Sequence, residues 1–134
     1  MPSLESVTRA QRWLAGQNVS GEEIPPFACG EINGVVNGLF QVQKPTLAEG
    51  TTICFAGENG IPTGRIGDIT QDFPTLAYTF VLGATIPGQL MSVVIGQWYI
   101  GFNPDRGNLK VIGAESITSD YQWVMPCNRC RLNS

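Results

Sequence analysis

The sequence predicts an all-β fold, a small antiparallel β-barrel or β-sandwich, with a short N-terminal α-helical arm and an extended C-terminal tail. Three observations predict it. From Phe27 onward the chain is a series of short runs rich in Val, Ile, Thr and aromatics, broken by Gly, Pro and Asn; this is the signature of many short strands joined by tight turns. Only one stretch, Ser3 to Ala15, has helical periodicity. With 134 residues, the chain has material for one core and little left for a second. The expected organisation is a helical arm over residues 1–17, a β domain over 18–126 and a tail over 127–134.

The arm comes first. Ser3 is placed to cap a helix, Glu5 favours its first turn and Gly16 closes it. Leu4, Val7, Ala10 and Leu14 recur at spacings of three and four, with Trp13 at the edge of that stripe. A helix this short is marginal alone, so the stripe must dock, on its own domain or on a neighbouring subunit. The segment Ile24-Pro25-Pro26-Phe27 then reads as a stiff extended strip, because proline restricts both itself and its predecessor.

Strands are expected at Phe27–Ile32, Leu39–Gln43, Thr51–Ala56, Gly64–Thr70, Leu76–Val81, Met91–Gly96, Trp98–Phe102, Leu109–Ile112 and Gln122–Met125. Asn33-Gly34 and Asn37-Gly38 favour positive φ and so tight reversals. Gly96-Gln97 is a candidate for another hairpin turn. The stretches from Lys44 to Thr51 and from Gly57 to Gly64 read as surface connections, the second too rich in Gly and Pro for a ladder.

Composition narrows the function classes. The chain is 43% hydrophobic and 14% charged, less charged than an average domain and too apolar for disorder. Its net charge of −3 has only the pairs Arg9/Arg12 and Arg129/Arg131 as local basic features. Nucleic-acid binding needs a stripe of Lys and Arg against phosphates, so nucleic acid is not expected as a partner. No secretory signal is legible, and the longest apolar runs, Tyr78–Ala84 and Leu90–Ile95, fall far short of a membrane span. A soluble chain with no membrane partner, made in the cytoplasm, is expected.

The chain contains no histidine, which removes the commonest general base and neutral metal ligand near pH 7. Carboxylates remain as chemistry. Glu58, Asp68 and Asp72 could serve a glycosidase only as two carboxyls about 5–9 Å apart across a sugar cleft; otherwise they solvate loops. No characteristic acid–base motif accompanies them, so no enzyme activity, catalytic residue or cofactor is expected. Cys127-Asn-Arg-Cys130 has the spacing of a zinc knuckle, and Cys29 and Cys54 could complete four thiolates. A four-cysteine site usually has two close pairs, whereas Cys29 and Cys54 stand in apolar strand contexts suited to buried thiols. Structural thiols, a metal site and a disulfide between the last two cysteines all stay open, and no metal site is assigned. Gly57–Gly64 lacks the Gly-Lys-Ser/Thr ending of a phosphate loop. Asn18 and Ser20 suit the organisation of a turn.

Several short motifs carry a resemblance: Ser20-Gly21 with Ile24-Pro25-Pro26-Phe27, Gln43-Lys44-Pro45, Gly101-Phe102 and Val111-Ile112-Gly113. Together they span Asn18 to Gly113, and in them the chain resembles small structural virion proteins of tailed bacteriophages. The resemblance implies a capsid cement or decoration protein in the virion, stabilising the head through protein–protein contacts. A homo-oligomer, a trimer first, in contact with the major capsid protein or tail proteins is implied with it. The alternative is a tail-associated connector or a glycan-binding module of a tail fibre or spike, for which Trp98, Tyr99 and Trp123 would supply stacking faces. The residues themselves suggest where contacts would form: Leu4, Val7, Trp13 and Leu14 of the arm, Pro25, Pro26 and Phe27 of the strip, and Trp123, Met125, Arg129 and Arg131 near the C-terminus. These types are enriched in interface cores, although each could equally pack within the chain.

Overall fold

The computed structural model describes residues 12–46, 52–79, 88–105, 107–114 and 120–126. Ten strands run in chain order: β1 Leu14–Asn18, β2 Cys29–Val36, β3 Leu39–Gln43, β4 Ile53–Ala56, β5 Ile66–Thr70, β6 Thr75–Tyr78, β7 Leu90–Val93, β8 Ile100–Phe102, β9 Leu109–Ala114 and β10 Tyr121–Pro126. The fold is all-β, with no helix among the described residues. They form a closed barrel, β1-β3-β2-β4-β5, and a second five-stranded sheet, β6-β10-β9-β7-β8.

The predicted helix is corrected at its C-terminal end. Leu14 and Ala15 open a strand that pairs antiparallel with β5 and parallel with β3; residues 1–11, with Leu4 and Val7, lie outside the described residues. The physical reason is that β1 completes the barrel. It satisfies the facing backbone edges of β3 and β5 at once, and that outweighs the weak helical periodicity of so short a segment. Gly16 is suited to this position because a Cβ there would stand 2.8 Å from Ile69 Cγ2. The expected boundary between arm and β domain after residue 17 therefore falls inside a barrel strand.

Alternation along the strands builds two cores. Ile24, Val42, Cys54, Ile61, Ile69 and Trp98 pack inside the barrel, each nearly inaccessible. On the opposite face of β2 and β4, Cys29 and Phe55 pack with Met91, Ile100, Val111 and Val124 of the second sheet. The two sheets thus share a layer, and burying each of these side chains contributes about 1.5–3 kcal/mol before entropic losses. A parallel bridge from Thr79 to Ile100 links the two edges of the second sheet. On that sheet's outer side, Phe27, Leu76 and Trp123 form a third cluster, in which Phe27 and Tyr121 meet edge to face at 5.2 Å.

Turn chemistry follows the sequence unevenly. Asn37 (φ 53°) and Gly38 (φ 79°) make the β2–β3 hairpin as expected. Asn33-Gly34 does not reverse the chain; it lies within β2, where the register slips between Ile32 and Gly34, so its conformational latitude serves a bulge. Gly96 (φ 78°) sits in the expected β7–β8 turn, closed by Gln97 N–H donating to Val94 O at 3.1 Å. The proposed stiff strip also differs. Pro25 to Ala28 is a turn, with Ala28 N–H bonding Pro25 O at 3.2 Å and Phe27 at φ 59°.

Candidate interaction surface

The face of the barrel turned away from the second sheet is the candidate site. On β1, Gly16 and Asn18 point inward, leaving Ala15 and Gln17 outward. Pairing then sets two rows across the surface. In one, Ile66 of β5 faces Gln17, which stands beside Gln41 of β3, and Gln41 Nε2 donates to Gln17 Oε1 at 2.8 Å. In the other, Asp68 faces Ala15, and the parallel register continues toward Leu39, which pairs with Val36. Ile66, Val35 and Val36 are 57%, 57% and 55% exposed. Ala15, Leu39 and Val36 therefore form an apolar strip from β1 to the tip of the β2–β3 hairpin, with Ile66 of β5 diagonal to Ala15, while Val35 pairs with the inward-packed Phe40 and lies on the other face of β2.

At the β5 end the strip opens into a groove of about 620 Å³. Trp13, Pro62 and Ile66 line it together with Asn59 and the acidic residues Glu58 and Asp68. The Gly57–Gly64 loop supplies Gly57, Glu58, Asn59, Gly60 and Pro62 to the lining, and it is fastened to the barrel. Ile24 and Ile61 exchange backbone hydrogen bonds at 2.9 Å in each direction. Gly60 adopts φ +63° there with its α-carbon against the Ile24 carbonyl, where a Cβ would clash, so only glycine fits. Gly57 likewise lies under Trp13, whose Cζ3 would be 3.5 Å from a Cβ at that position.

Asn18 fixes the loop from inside. Its Nδ2 donates to Ile61 O at 2.9 Å and to Glu22 O at 2.7 Å, while its Oδ1 accepts from the backbone and hydroxyl of Ser20 at 3.0 and 2.6 Å. The expected turn-organising role of Asn18 and Ser20 is met by these bonds. Asn18 is also one of the most deeply buried side chains of the barrel.

The three carboxylates singled out in the sequence separate. Glu58 and Asp68 share the groove. Asp72 instead grips Arg12 through the backbone N–H at 2.6 Å and the guanidinium at 3.3 Å, and those hydrogen bonds hold its carboxyl below the usual aspartate range. Among the described residues, neither Glu58 nor Asp68 makes an ion pair or side-chain hydrogen bond.

The other predicted contact residues divide. Leu14 packs against the barrel core, and Pro25 and Pro26 are half-buried. Phe27 and Trp123 are core residues of this chain, 8% and 3% exposed, because the third cluster buries their rings. Met125 is 40% exposed, and Arg129 and Arg131 lie outside the described residues. Of the aromatics considered for glycan stacking, Trp98 is 6% exposed and Trp123 3%, and Tyr99 meets Tyr78 edge to face. Cys29 and Cys54 are buried free thiols. Burial, then the neighbouring Cys54 and Glu31, raises the Cys29 thiol, and burial raises Cys54 to about 12. Among the described residues no group of three or more His, Cys, Asp or Glu could hold a metal ion; Cys127 and Cys130 lie outside them.

The groove was not legible as a site in the sequence. Its parts come from β1, β5 and the glycine loop, and only barrel closure brings them together. Glu31 was missed too. It is 7% exposed and accepts from Gln43 Nε2 at 3.0 Å and Thr46 Oγ1 at 2.8 Å. Fold and surface together define an all-β module of one closed barrel fused to a second sheet. No protein-family model, curated protein or solved structure matches the chain.

Proposed function

We propose that this chain is a structural protein of a phage virion, a capsid cement or decoration protein that stabilises the head through protein–protein contacts. The observation that carries the assembly role is the apolar strip of Ala15, Leu39 and Val36, with Ile66 diagonal to it, on the barrel face opposite the second sheet. Contiguous exposed apolar surface rimmed by polar groups marks protein interaction sites in soluble domains. The virion is supplied by the resemblance of the Ile24-Pro25-Pro26-Phe27, Gln43-Lys44-Pro45 and Val111-Ile112-Gly113 motifs to small phage structural proteins. The major capsid protein is the partner this reading implies, with the chain as a homo-oligomer, trimeric first. Contacts of modest size suffice, since repetition on a symmetric shell multiplies them by avidity.

Counting copies of the chain in purified particles by quantitative mass spectrometry tests the proposal. Hundreds per particle fit a head cement, whereas a single ring's worth moves the protein to the tail as a connector. Particles that lack the chain altogether refute the virion reading.

A further inference from the structure

The groove at the end of the apolar strip carries two carboxylates that no cation among the described residues pairs with. Glu58 and Asp68 line it with no cation or donor against either side chain among the described residues. The two cations nearest in sequence to its walls do not serve. Arg12 is held by Asp72, and Arg65 makes no ion pair with either carboxylate. The rest of the lining is Trp13, Pro62, Ile66, Asn59 and three glycines. Two carboxylates in one groove with an indole and aliphatic side chains match a guanidinium-bearing segment with an apolar neighbour. Arginine presents a planar donor fork to carboxylates and packs its face on aromatic rings.

The chain itself carries one segment of that chemistry. Residues 127–134 contain Arg129 and Arg131 with Leu132 directly after them and no acidic side chain. Residues 1–11 instead carry one arginine against one glutamate. We propose that the groove of one copy receives the Arg129–Leu132 segment of a second copy, with the guanidinium groups on Glu58 and Asp68 and Leu132 against Ile66. A head-to-tail contact of this kind is heterologous, so it builds a ring where the rotation closes. This rests on the assembly reading above and names the partner for one end of its surface.

A charge exchange on the full-length chain decides the matter. Glu58 and Asp68 are both exposed, so Glu58→Arg with Asp68→Arg leaves the core untouched, and circular dichroism verifies that each variant folds. The wild type is expected to self-associate in sedimentation velocity, with association weakening as salt rises. The double variant E58R/D68R and the double variant R129E/R131E are each expected to associate about tenfold or more weakly, as for charge pairs at an interface. An equimolar mixture of the two variants restores association, because each groove then meets a tail of opposite sign. A wild type that stays monomeric at every concentration, association unchanged in either variant, or a mixture no better than its components overturns the proposal. These outcomes are separable from the virion reading. Copies in the particle alongside a monomeric wild type refute only the groove contact, and absence from the particle refutes only the virion.

Discussion

Trp98 Nε1 donates to Glu22 Oε1 at 2.8 Å across 76 residues of chain. The bond belongs to a fastening between the two sheets. Trp98 sits in the β7–β8 turn of the second sheet, yet its ring packs in the barrel core, and its carbonyl accepts from Cys29 N–H at 2.8 Å. Lys44 Nζ reaches the same Glu22 oxygen at 2.8 Å and stands 5.8 Å from the centre of the indole. Removing the ring should therefore loosen both sheets together. Trp98→Ala is expected to cost about 3–5 kcal/mol by urea denaturation. Trp98→Phe, which keeps most of the packing but lacks the donor, should cost distinctly less.

The same fastening gives the fold a dependence on acid. The hydrogen bond from Lys44, then that from Trp98, lowers the Glu22 carboxyl below its ordinary 4.5. A depressed carboxylate contributes stability that is fully present above its unfolded pKa and is lost as pH falls through the folded one. Thermal melting of the wild type should accordingly drop as the solution is acidified below the ordinary glutamate range. In Glu22→Gln that part of the drop should be absent, and the curve flatter. Asp72 acts in the same direction through Arg12, so Asp72→Asn should flatten the acid limb independently.

Asn18 offers a stability test that bears on the groove. Its amide satisfies the Ile61 and Glu22 carbonyls and two donors of Ser20 from a site that is 1% exposed. Asn18→Ala leaves those groups unpaired in the interior, at a cost of about 1–3 kcal/mol by chemical denaturation. Because Ile61 anchors the loop that lines the groove, amide hydrogen exchange should accelerate first at Ile24 and Ile61.

How much of this was legible from the residues follows the range of the interactions. The Asn37-Gly38 hairpin and the Gly96 turn are local, and the sequence marks them by residue type. Strands such as Leu39–Gln43 carry their own β-branched or aromatic side chains. Leu14–Asn18 does not. Leu-Ala-Gly-Gln-Asn has little strand preference, and only its two distant partners make it a strand. Asn33-Gly34 uses turn residues for a bulge, a choice set by the neighbouring strands. The site suffered the same blindness. Glu58 and Asp68 were visible as carboxylates, but their shared groove with Trp13 exists only once β1 pairs with β5. Trp123 and Phe27 looked like contact residues by type, and long-range packing turned them inward.

The two buried thiols yield a test of reactivity. Only the thiolate attacks electrophiles, and burial holds Cys54 at about 12 with Cys29 raised as well. In the native protein at neutral pH, peptide mapping after iodoacetamide treatment should find Cys29 and Cys54 unmodified. Both should label fully in denaturant. Fast native labelling of either would mean that the layer between barrel and second sheet opens far more readily than its packing implies.

The apolar strip gives the sharpest mutational separation of folding from assembly. Val36 is 55% exposed and pairs with Leu39 beside the hairpin turn, so an aspartate there stays in water and disturbs no core contact. Surface substitutions of this kind usually change stability by no more than about 0.5 kcal/mol. An interface packed on the strip would have to desolvate the new carboxylate without a partner, which is strongly unfavourable. Val36→Asp is therefore expected to keep the wild-type melting temperature within a few degrees while lowering incorporation into particles by about tenfold or more. A control change on the second sheet, Phe102→Asp at a site 60% exposed in β8, should leave incorporation intact. Equal loss from both variants would show that the barrel face has no special role, and normal incorporation of Val36→Asp would remove the strip from the contact.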